Sequence, residues 1–390
     1  MRLKRGLALV MSVLLAVPGI VMPIGSVSAK AQTKIVVNKA EEILPYQDTS
    51  LSFEERAADL VSRMTLEEKV AQLGYKAAGI ERLGVAPYDY WKEALHGVAR
   101  QGAATSFPTA LSMSNTWNTE LIYKLADATS TEARAKNDRY NLSYWSPTIN
   151  MARDPRWGRI IETGGEDVLV NKRMAAAQVR GFQGNDLKDS NHIATCTKHF
   201  AGYGAEAGRD YNTVELSDNQ LYEYYLPAYK ACLDAGSVSV MMSFNTLNGV
   251  PATVNPRLKH ILRDEWNFSG VVMSDYSGVH ETIVHGVCKD EKEAAEKSLK
   301  NECDIEMVSS AYAKHLKELI SEGIISEKLL NQSVLRVLKL KDSLGLFENP
   351  FRGATVEAAK ASILTKENRA LARKAAEQTS VLLKNNGVLP

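Results

Sequence analysis

The chain of 390 residues carries 47 Lys and Arg against 46 Asp and Glu, which leaves a formal net charge of +1. Such a balance argues against nucleic acid or an anionic membrane as the main partner. The length permits one large domain or two ordinary ones, with an ample hydrophobic core.

The first residues differ in kind from everything that follows them. Basic side chains precede an apolar run over 7–25, and small residues follow that run. This order predicts a secretory signal peptide over 1–31. A membrane anchor is the alternative, but Pro18 and Pro23 interrupt the apolar run. We therefore expect a secreted protein, extracellular or periplasmic, with no membrane attachment after cleavage and a leader segment over 32–50.

Regular structure is predicted to begin with a helix at Thr65, because Thr65 and Glu68 have the spacing of a capping box. Short apolar runs then alternate with helical stretches. The runs lie, in chain order, at 106–107, 142–149, 193–197, 238–242, 271–273 and 305–308. Helices are predicted to begin after Asn118, at Ser217 and after Asn255, and another covers 327–346.

Alternating strands and helices indicate an α/β fold with a mostly parallel sheet. Repetition of this unit over roughly 300 residues predicts a (β/α)8 TIM-type barrel, an irregular or incomplete one included. An open doubly wound sheet is the alternative, but no G-x-G-x-x-G follows an early strand.

The end of the chain carries a weaker pattern. Turn residues at 349–353 precede a predicted helix over 367–378 and a predicted strand over 380–384. A lone helix and strand cannot bury a core of their own. We therefore predict the barrel domain over 51–353, and a linker with the truncated start of a second α/β domain over 354–390.

Asp275 directly follows the apolar run 271–273, and it is the first candidate for chemistry. In a barrel the C-terminal ends of the strands form the rim of the active site. The alternative is that Ser274 and Asp275 only cap the next helix.

Polar clusters follow the other runs as well. Residues 151–159 contain three Arg and a Trp, Lys198 and His199 follow the run 193–197, and Glu93 lies beside aromatic residues at 88–91. Carboxylates, cations and aromatic rings together are typical of a carbohydrate site. The alternative for many of these residues is a salt-bridge network that stiffens loops.

The sequence lacks the motifs of several other enzyme classes. There is no Gly-rich phosphate loop, no G-x-S-x-G elbow and no metal-type spacing among the four cysteines. Export permits disulfides, but a core of this size does not need them, and Cys196 is expected to be a buried thiol. We expect no cofactor and no metal site.

Three motifs together resemble the N-terminal barrel domain of glycoside hydrolase family 3. They are Arg153-Asp-Pro-Arg-Trp-Gly-Arg159, Lys198-His199-Phe200 and Ser274-Asp275-Tyr276, in family order. The resemblance implies that Asp275 is the catalytic nucleophile, and that Arg159, Lys198 and His199 hold the non-reducing sugar.

The same resemblance assigns further substrate-binding positions. Glu93 is expected to bind sugar hydroxyls far from the scissile bond, and Tyr276 to help receive the leaving group. Family members often have Tyr where this chain has Phe244, so a hydroxyl near the nucleophile is absent. That departure is expected to alter how Asp275 is tuned.

The family's general acid/base usually comes from a second domain, and the hexosaminidase branch instead carries an Asp-Ser-His loop. Residues 201–211 do not match that loop, so no acid/base is found in this chain. The resemblance implies a retaining exo-β-glycosidase that acts on terminal β-linked xylose or glucose. Without its acid/base, this chain is expected to be weakly active or inactive.

A non-catalytic carbohydrate-binding fragment is the main alternative. An aldolase is a weaker one, because Lys198 beside His199 suits a Schiff base poorly.

Overall fold

Strands alternate with helices through the described residues, which are 43–137, 141–204 and 212–389 of a computed structural model. The strands are β1 (Lys76–Ala77), β2 (Tyr88–Asp89), β3 (Ser143–Tyr144), β4 (Ala194–Phe200), β5 (Thr213–Val214), β6 (Ser239–Met242), β7 (Thr246–Leu247), β8 (Val250–Pro251) and β9 (Val271–Met273). The helices are α1 (Phe53–Arg63), α2 (Leu66–Ala71), α3 (Ala110–Ser114), α4 (Thr119–Ala135), α5 (Val168–Gln183), α6 (Asp218–Gln220), α7 (Leu226–Asp234), α8 (Pro256–His260), α9 (Gly278–Val284), α10 (Glu291–Lys300), α11 (Ala311–Ser321), α12 (Glu327–Ser343), α13 (Val356–Ser362) and α14 (Lys366–Gln378). The predicted signal peptide and most of the leader segment lie outside these residues.

The central sheet is parallel and has the strand order β3-β4-β6-β9. Every residue of β4, β6 and β9 is buried, as expected for strands covered on both faces. The predicted strands near 193–197, 238–242 and 271–273 are therefore confirmed.

Single backbone hydrogen bonds continue this sheet beyond its named strands. They join Ser274 N to Ile305 O (2.9 Å), Tyr75 N to Glu306 O (3.0 Å), Tyr90 N to Tyr75 O (2.9 Å) and Trp145 N to Lys92 O (2.8 Å). The path returns to the segment that contains β3, which agrees with the predicted barrel, although the ladders between named strands do not close it. It is irregular, because β1 and β2 pair antiparallel.

Helix ends follow the predicted caps. Thr65 and Ser217 each form a capping box, and the Asn118 side chain accepts a hydrogen bond from the N-terminus of α4. Sequence reasoning missed α1, which opens with a capping box of Ser52 and Glu55. The expectation that regular structure begins at Thr65 was therefore wrong.

Three predicted strands differ from the structure. Residues 106–107 form no strand, because Phe107 packs beside α3 and α4 and its backbone N–H donates to His96. Residues 305–308 make only isolated bridges, at Ile305 and Glu306. Residues 380–384 also form no strand, because no described segment pairs with them, and the Leu383 side chain is 91% exposed.

Residues 356–378 pack against α4. Ala375 of α14 is fully buried there, and Asn118 donates to Gln378 across 3.1 Å. The domain boundaries remain predictions. All four cysteines are buried thiols, Cys196 included. None of the helices in the described ranges is long and apolar enough to cross a membrane.

Candidate active site

Asp275 lies directly after β9, in a turn that the neighbouring segment holds in place. Its Oδ1 accepts a hydrogen bond from the Tyr276 backbone N–H at 2.7 Å. Ser274 Oγ accepts from the Met307 N–H at 2.9 Å, which ties the turn to the next segment of the barrel. The N-cap position of α9 belongs to Ser277. Asp275 therefore does not cap that helix, and the alternative stated above was wrong.

His199 lies at the end of β4 and faces the Asp275 carboxylate. Its Nε2 is 3.3 Å from Asp275 Oδ2 and 3.3 Å from Arg159 Nη2. His199 and Asp275 are both buried, so their interaction takes place largely away from solvent. The end of one strand thus brings an imidazole within contact distance of the carboxylate at the end of another.

Arg159 reaches the same place from the loop after β3. Its guanidinium makes a bidentate pair with Glu162, at 2.9 Å and 2.8 Å. Burial favours the neutral form of Arg159, but the hydrogen bonds and charge of Glu162 outweigh it, and the pKa of Arg159 is raised above its usual value. Arg159 is therefore a permanent cation beside His199.

Lys198 and Glu93 form a second charged group at this site. Glu93 Oε1 is 3.7 Å from Lys198 Nζ, and Glu93 Oε2 is 3.1 Å from Arg100 Nε. The Arg100 guanidinium also lies over the Trp91 ring, 5.4 Å from its centroid. Glu93 is thus fixed from two sides, and Lys198 is almost entirely buried.

Aromatic rings line the space between these charged groups. Trp91 meets Tyr276 edge-on at 5.9 Å between ring centroids, and the Tyr276 side chain is about half exposed. Tyr203 contacts His199 at 5.3 Å and Phe244 at 6.3 Å between centroids. The half-exposed Tyr276 ring suits the apolar face of a sugar ring, whereas Tyr203 is buried.

The structure therefore brings the residues predicted from sequence into one region. Direct contacts join Asp275 to His199 and His199 to Arg159, and a separate contact joins Lys198 to Glu93. Phe244 and Tyr276 join the group through ring contacts. Sequence reasoning missed Asn150, whose Nδ2 lies 3.0 Å from His199 Nδ1, and Tyr229 of α7, which donates to Asn150. Asn150 ends the apolar run 142–149, so the strand-end signal that found Asp275 applied to it as well.

The salt-bridge alternative holds for part of the Arg-rich loop. Arg156 pairs with Asp154 at 2.7 Å on the surface, and Asp167 caps α5. Residues 205–211, which belong to the segment compared with the hexosaminidase loop, lie outside the described residues. Among the residues that are described, His, Cys, Asp and Glu form no cluster of three or more that could hold a metal ion.

Comparison with known proteins gives one consistent result. The family model for the glycosyl hydrolase family 3 N terminal domain matches residues 65–340. An exo-1,4-β-xylosidase of Emericella nidulans is 38% identical over 88% of this chain and 48% of its own length. A periplasmic β-glucosidase of Salmonella typhimurium is 34% identical over 84% of this chain and 47% of its own length.

Among solved structures, a β-glucosidase from Listeria innocua in complex with glucose superposes with a TM-score of 0.78. It is 35% identical, and the match covers 86% of this chain and 53% of the other. The chain thus spans about half the length of the curated relatives it matches. The family match includes all the site residues named above, and the chain belongs to glycosyl hydrolase family 3, as its motifs predicted.

Proposed function

We propose that this protein is a retaining exo-β-glycosidase that removes terminal β-linked xylose or glucose, with Asp275 as the nucleophile. The observation that carries the proposal is the buried carboxylate at the C-terminal end of β9, 3.3 Å from His199 and close to the Arg159 cation. Positive charge and hydrogen-bond donors favour the ionised form of a carboxyl group. An ionised carboxylate at a barrel rim is what nucleophilic attack on a sugar requires.

In the proposed reaction, one Asp275 oxygen attacks the anomeric carbon and the bond to the leaving oxygen breaks. A glycosyl ester forms, and water then hydrolyses it. Lys198, Arg159 and Glu93 hold the sugar hydroxyls, and Tyr276 lies where the leaving group departs. The relatives' names, β-xylosidase and β-glucosidase, support these two sugars as candidates.

The reaction also needs a general acid/base, which is a carboxyl group that protonates the leaving oxygen. Two carboxylates of this site are held in ion pairs, Glu93 with Lys198 and Arg100, and Glu162 with Arg159. We therefore assign the acid/base to residues outside the described part of the protein. Export by the predicted signal peptide is part of the proposal, and the Salmonella relative's periplasmic name supports it.

A 2,4-dinitrophenyl 2-deoxy-2-fluoro-β-glycoside, in xylose and glucose forms, tests the proposal. Its leaving group departs without protonation, so the trap does not depend on the acid/base. Intact mass spectrometry should show one glycosyl adduct, and peptide mapping should place it on Asp275. The Asp275→Asn variant, equal in size, should stay unlabelled.

The competing function is a carbohydrate-binding fragment without chemistry. If the protein binds xylose or glucose but neither fluoro-sugar labels it, the binding function replaces the catalytic one. If an adduct forms on a residue other than Asp275, the protein is an enzyme and the nucleophile assignment is wrong.

A further inference from the structure

We propose that Asn150 is a positioning residue, which fixes the tautomer of His199 so that the imidazole donates a hydrogen bond to the nucleophile. Only the catalytic consequence of this inference rests on the proposed function. The tautomer itself is a property of the folded chain, and it can be measured without any substrate.

The orientation of the Asn150 amide follows from its neighbours. One end of the amide lies 3.0 Å from the His199 backbone N and 3.0 Å from the Tyr229 hydroxyl. A backbone N–H can only donate, so the Asn150 atom facing it must be the carbonyl oxygen. The amide nitrogen therefore lies at the other end, where it is 3.0 Å from Nδ1 of His199.

This orientation decides which ring nitrogen of His199 carries the proton. The Asn150 amide N–H donates, so Nδ1 must accept, and in a neutral imidazole the proton then sits on Nε2. Nε2 is 3.3 Å from Asp275 Oδ2, so a carboxylate oxygen that can accept lies within reach of its proton.

The opposite tautomer fits worse. It would set the Nδ1 proton against the Asn150 N–H, and it would set the Nε2 lone pair against the Asp275 carboxylate. Its gain would be one hydrogen bond from Arg159 Nη2, at 3.3 Å. The preferred tautomer has one donor–donor contact, with Arg159, whereas the opposite one has two repulsive contacts.

Burial strengthens the preference for this tautomer of His199. The exposed fraction of Asn150 and of His199 is 1%, and that of Tyr229 is 2%. A mismatched donor cannot turn to solvent there, and electrostatic contacts are stronger than in water. The Tyr229 hydroxyl also lies 2.5 Å from the His199 carbonyl oxygen, so its single proton is shared between that carbonyl and the Asn150 oxygen, and α7 holds both partners in register.

The consequence for Asp275 is a fixed carboxylate plane. In this tautomer the His199 N–H is available to Oδ2 at 3.3 Å, and the Tyr276 N–H holds Oδ1 at 2.7 Å. A nucleophile whose two oxygens are both oriented needs less reorganisation to reach the anomeric carbon. Asn150 acts only through His199, without touching the sugar.

Two-dimensional ¹⁵N–¹H spectra of the histidine-labelled 390-residue chain test the inference, because protonated and bare ring nitrogens resonate far apart. The chain has seven His, so a His199→Gln spectrum identifies the signal. In the wild type at neutral pH, we expect a protonated Nε2 and a bare Nδ1. Asn150→Asp keeps the shape but replaces the donor with an acceptor, and it should place a proton on Nδ1.

Tyr229→Phe is the matched control. It removes a hydroxyl from the same buried network but keeps the Asn150 N–H, so the tautomer should not change. A wild-type spectrum with Nδ1 protonated overturns the inference without any variant. An unchanged Nδ1 signal in Asn150→Asp overturns it as well, and so does a tautomer change in Tyr229→Phe.

Kinetics then tests the catalytic consequence. Trapping by the fluoro-sugar should be slowed about tenfold or more in Asn150→Asp, and less in Tyr229→Phe. If the wild type is never trapped, the proposed function fails while the tautomer result stands. If trapping is equally fast in Asn150→Asp, the tautomer does not serve catalysis and the positioning role is wrong.

Discussion

Asp275 and Asp304 are two buried aspartates at opposite ends of neighbouring barrel segments. Asp304 precedes its segment, and it accepts hydrogen bonds from four donors. They are Arg263 Nη2 (2.9 Å), the Val272 N–H (2.9 Å), Ser333 Oγ (2.8 Å) and Arg336 Nη1 (2.9 Å). Asp275 follows its strand, and its contact with His199 is longer, at 3.3 Å.

The difference separates a carboxylate that holds the fold from one for which we propose a catalytic role. The lone pairs of Asp304 are saturated by its own chain, and its two Arg partners come from other elements. Asp275 lies at the end of the barrel where side chains meet substrate. Under the proposed function, a residue of one type therefore serves stability at the start of one barrel segment and reactivity at the end of another.

The largest expected effect tests the reactive side of this comparison. Asp275→Ala should reduce turnover of a dinitrophenyl β-glycoside by about 10³-fold or more, since members of a catalytic unit carry several orders of magnitude. Its free energy of unfolding should change little compared with its rate. Initial rates and urea denaturation measure both quantities. A variant that keeps a tenth of the wild-type rate contradicts the assignment.

Asp304→Ala should show the opposite profile. Removal of one partner leaves Arg263 and Arg336 buried without their shared carboxylate, which costs about 3–5 kcal/mol of unfolding free energy. The trapping rate per folded molecule should be unchanged. Asp234→Ala is the control, because that carboxylate pairs with Lys230 at the surface. It should cost about 0–1 kcal/mol. Equal losses in the two variants would remove the distinction drawn here.

Local patterns in the sequence predicted much of the barrel and site, but not all of it. Asp275, Lys198 and His199 follow apolar runs long enough to recognise, and their charges mark them. Strands of two residues, such as β3, are too short for any periodicity. The contact of Asn150 with Tyr229 spans 79 positions, so nothing local in the sequence indicates it. The exposed segment over 380–384 shows the converse, because strand propensity cannot supply a pairing partner.

Lys341 offers a smaller, pH-dependent test of the structural side. This lysine of α12 is buried, donates to Gln72 at 2.7 Å and lies over the Tyr88 ring. Burial lowers its pKa to about 7, whereas an unfolded lysine has a pKa of about 10.4. Burial also raises the pKa of Tyr88 to about 12, so this ring stays neutral below pH 9.

The direction in which stability changes with pH follows from the number of protons that each state binds. Below pH 7 both states carry the Lys341 proton, and the burial cost is fully present. Above pH 7 only the unfolded chain keeps it, so this lysine's contribution makes stability rise, by up to about 1.4 kcal/mol per pH unit. The gain in unfolding free energy of Lys341→Met over wild type should therefore shrink from pH 6 to pH 9. Lys339→Met, an exposed change on the same helix, controls for lost charge. A pH-independent advantage would contradict the prediction.

The smallest expected effect concerns the choice of sugar at Glu93. The segment around Glu93 resembles family β-xylosidases, in which the longer Glu occupies space that the hydroxymethyl group of glucose needs. Lys198 and Arg100 hold the Glu93 carboxylate from two sides. The alternative is that Glu93 serves these ion pairs and the backbone shifts to readmit glucose. One methylene in a pocket is worth about 1–3 kcal/mol of discrimination.

We therefore expect activity on both aryl β-xylosides and aryl β-glucosides, with xylose favoured, and Glu93→Asp should shift the ratio of kcat/KM toward glucose. Glu93→Gln is the matched control, because it keeps the length and loses the charge. It should lower kcat/KM for both substrates, because the ion pairs are lost, and it should leave the ratio of the two values near that of the wild type. A ratio that Glu93→Asp leaves unchanged, or moves further toward xylose, would show that another residue selects the sugar. An equal shift in Glu93→Gln would assign the selection to charge instead of space.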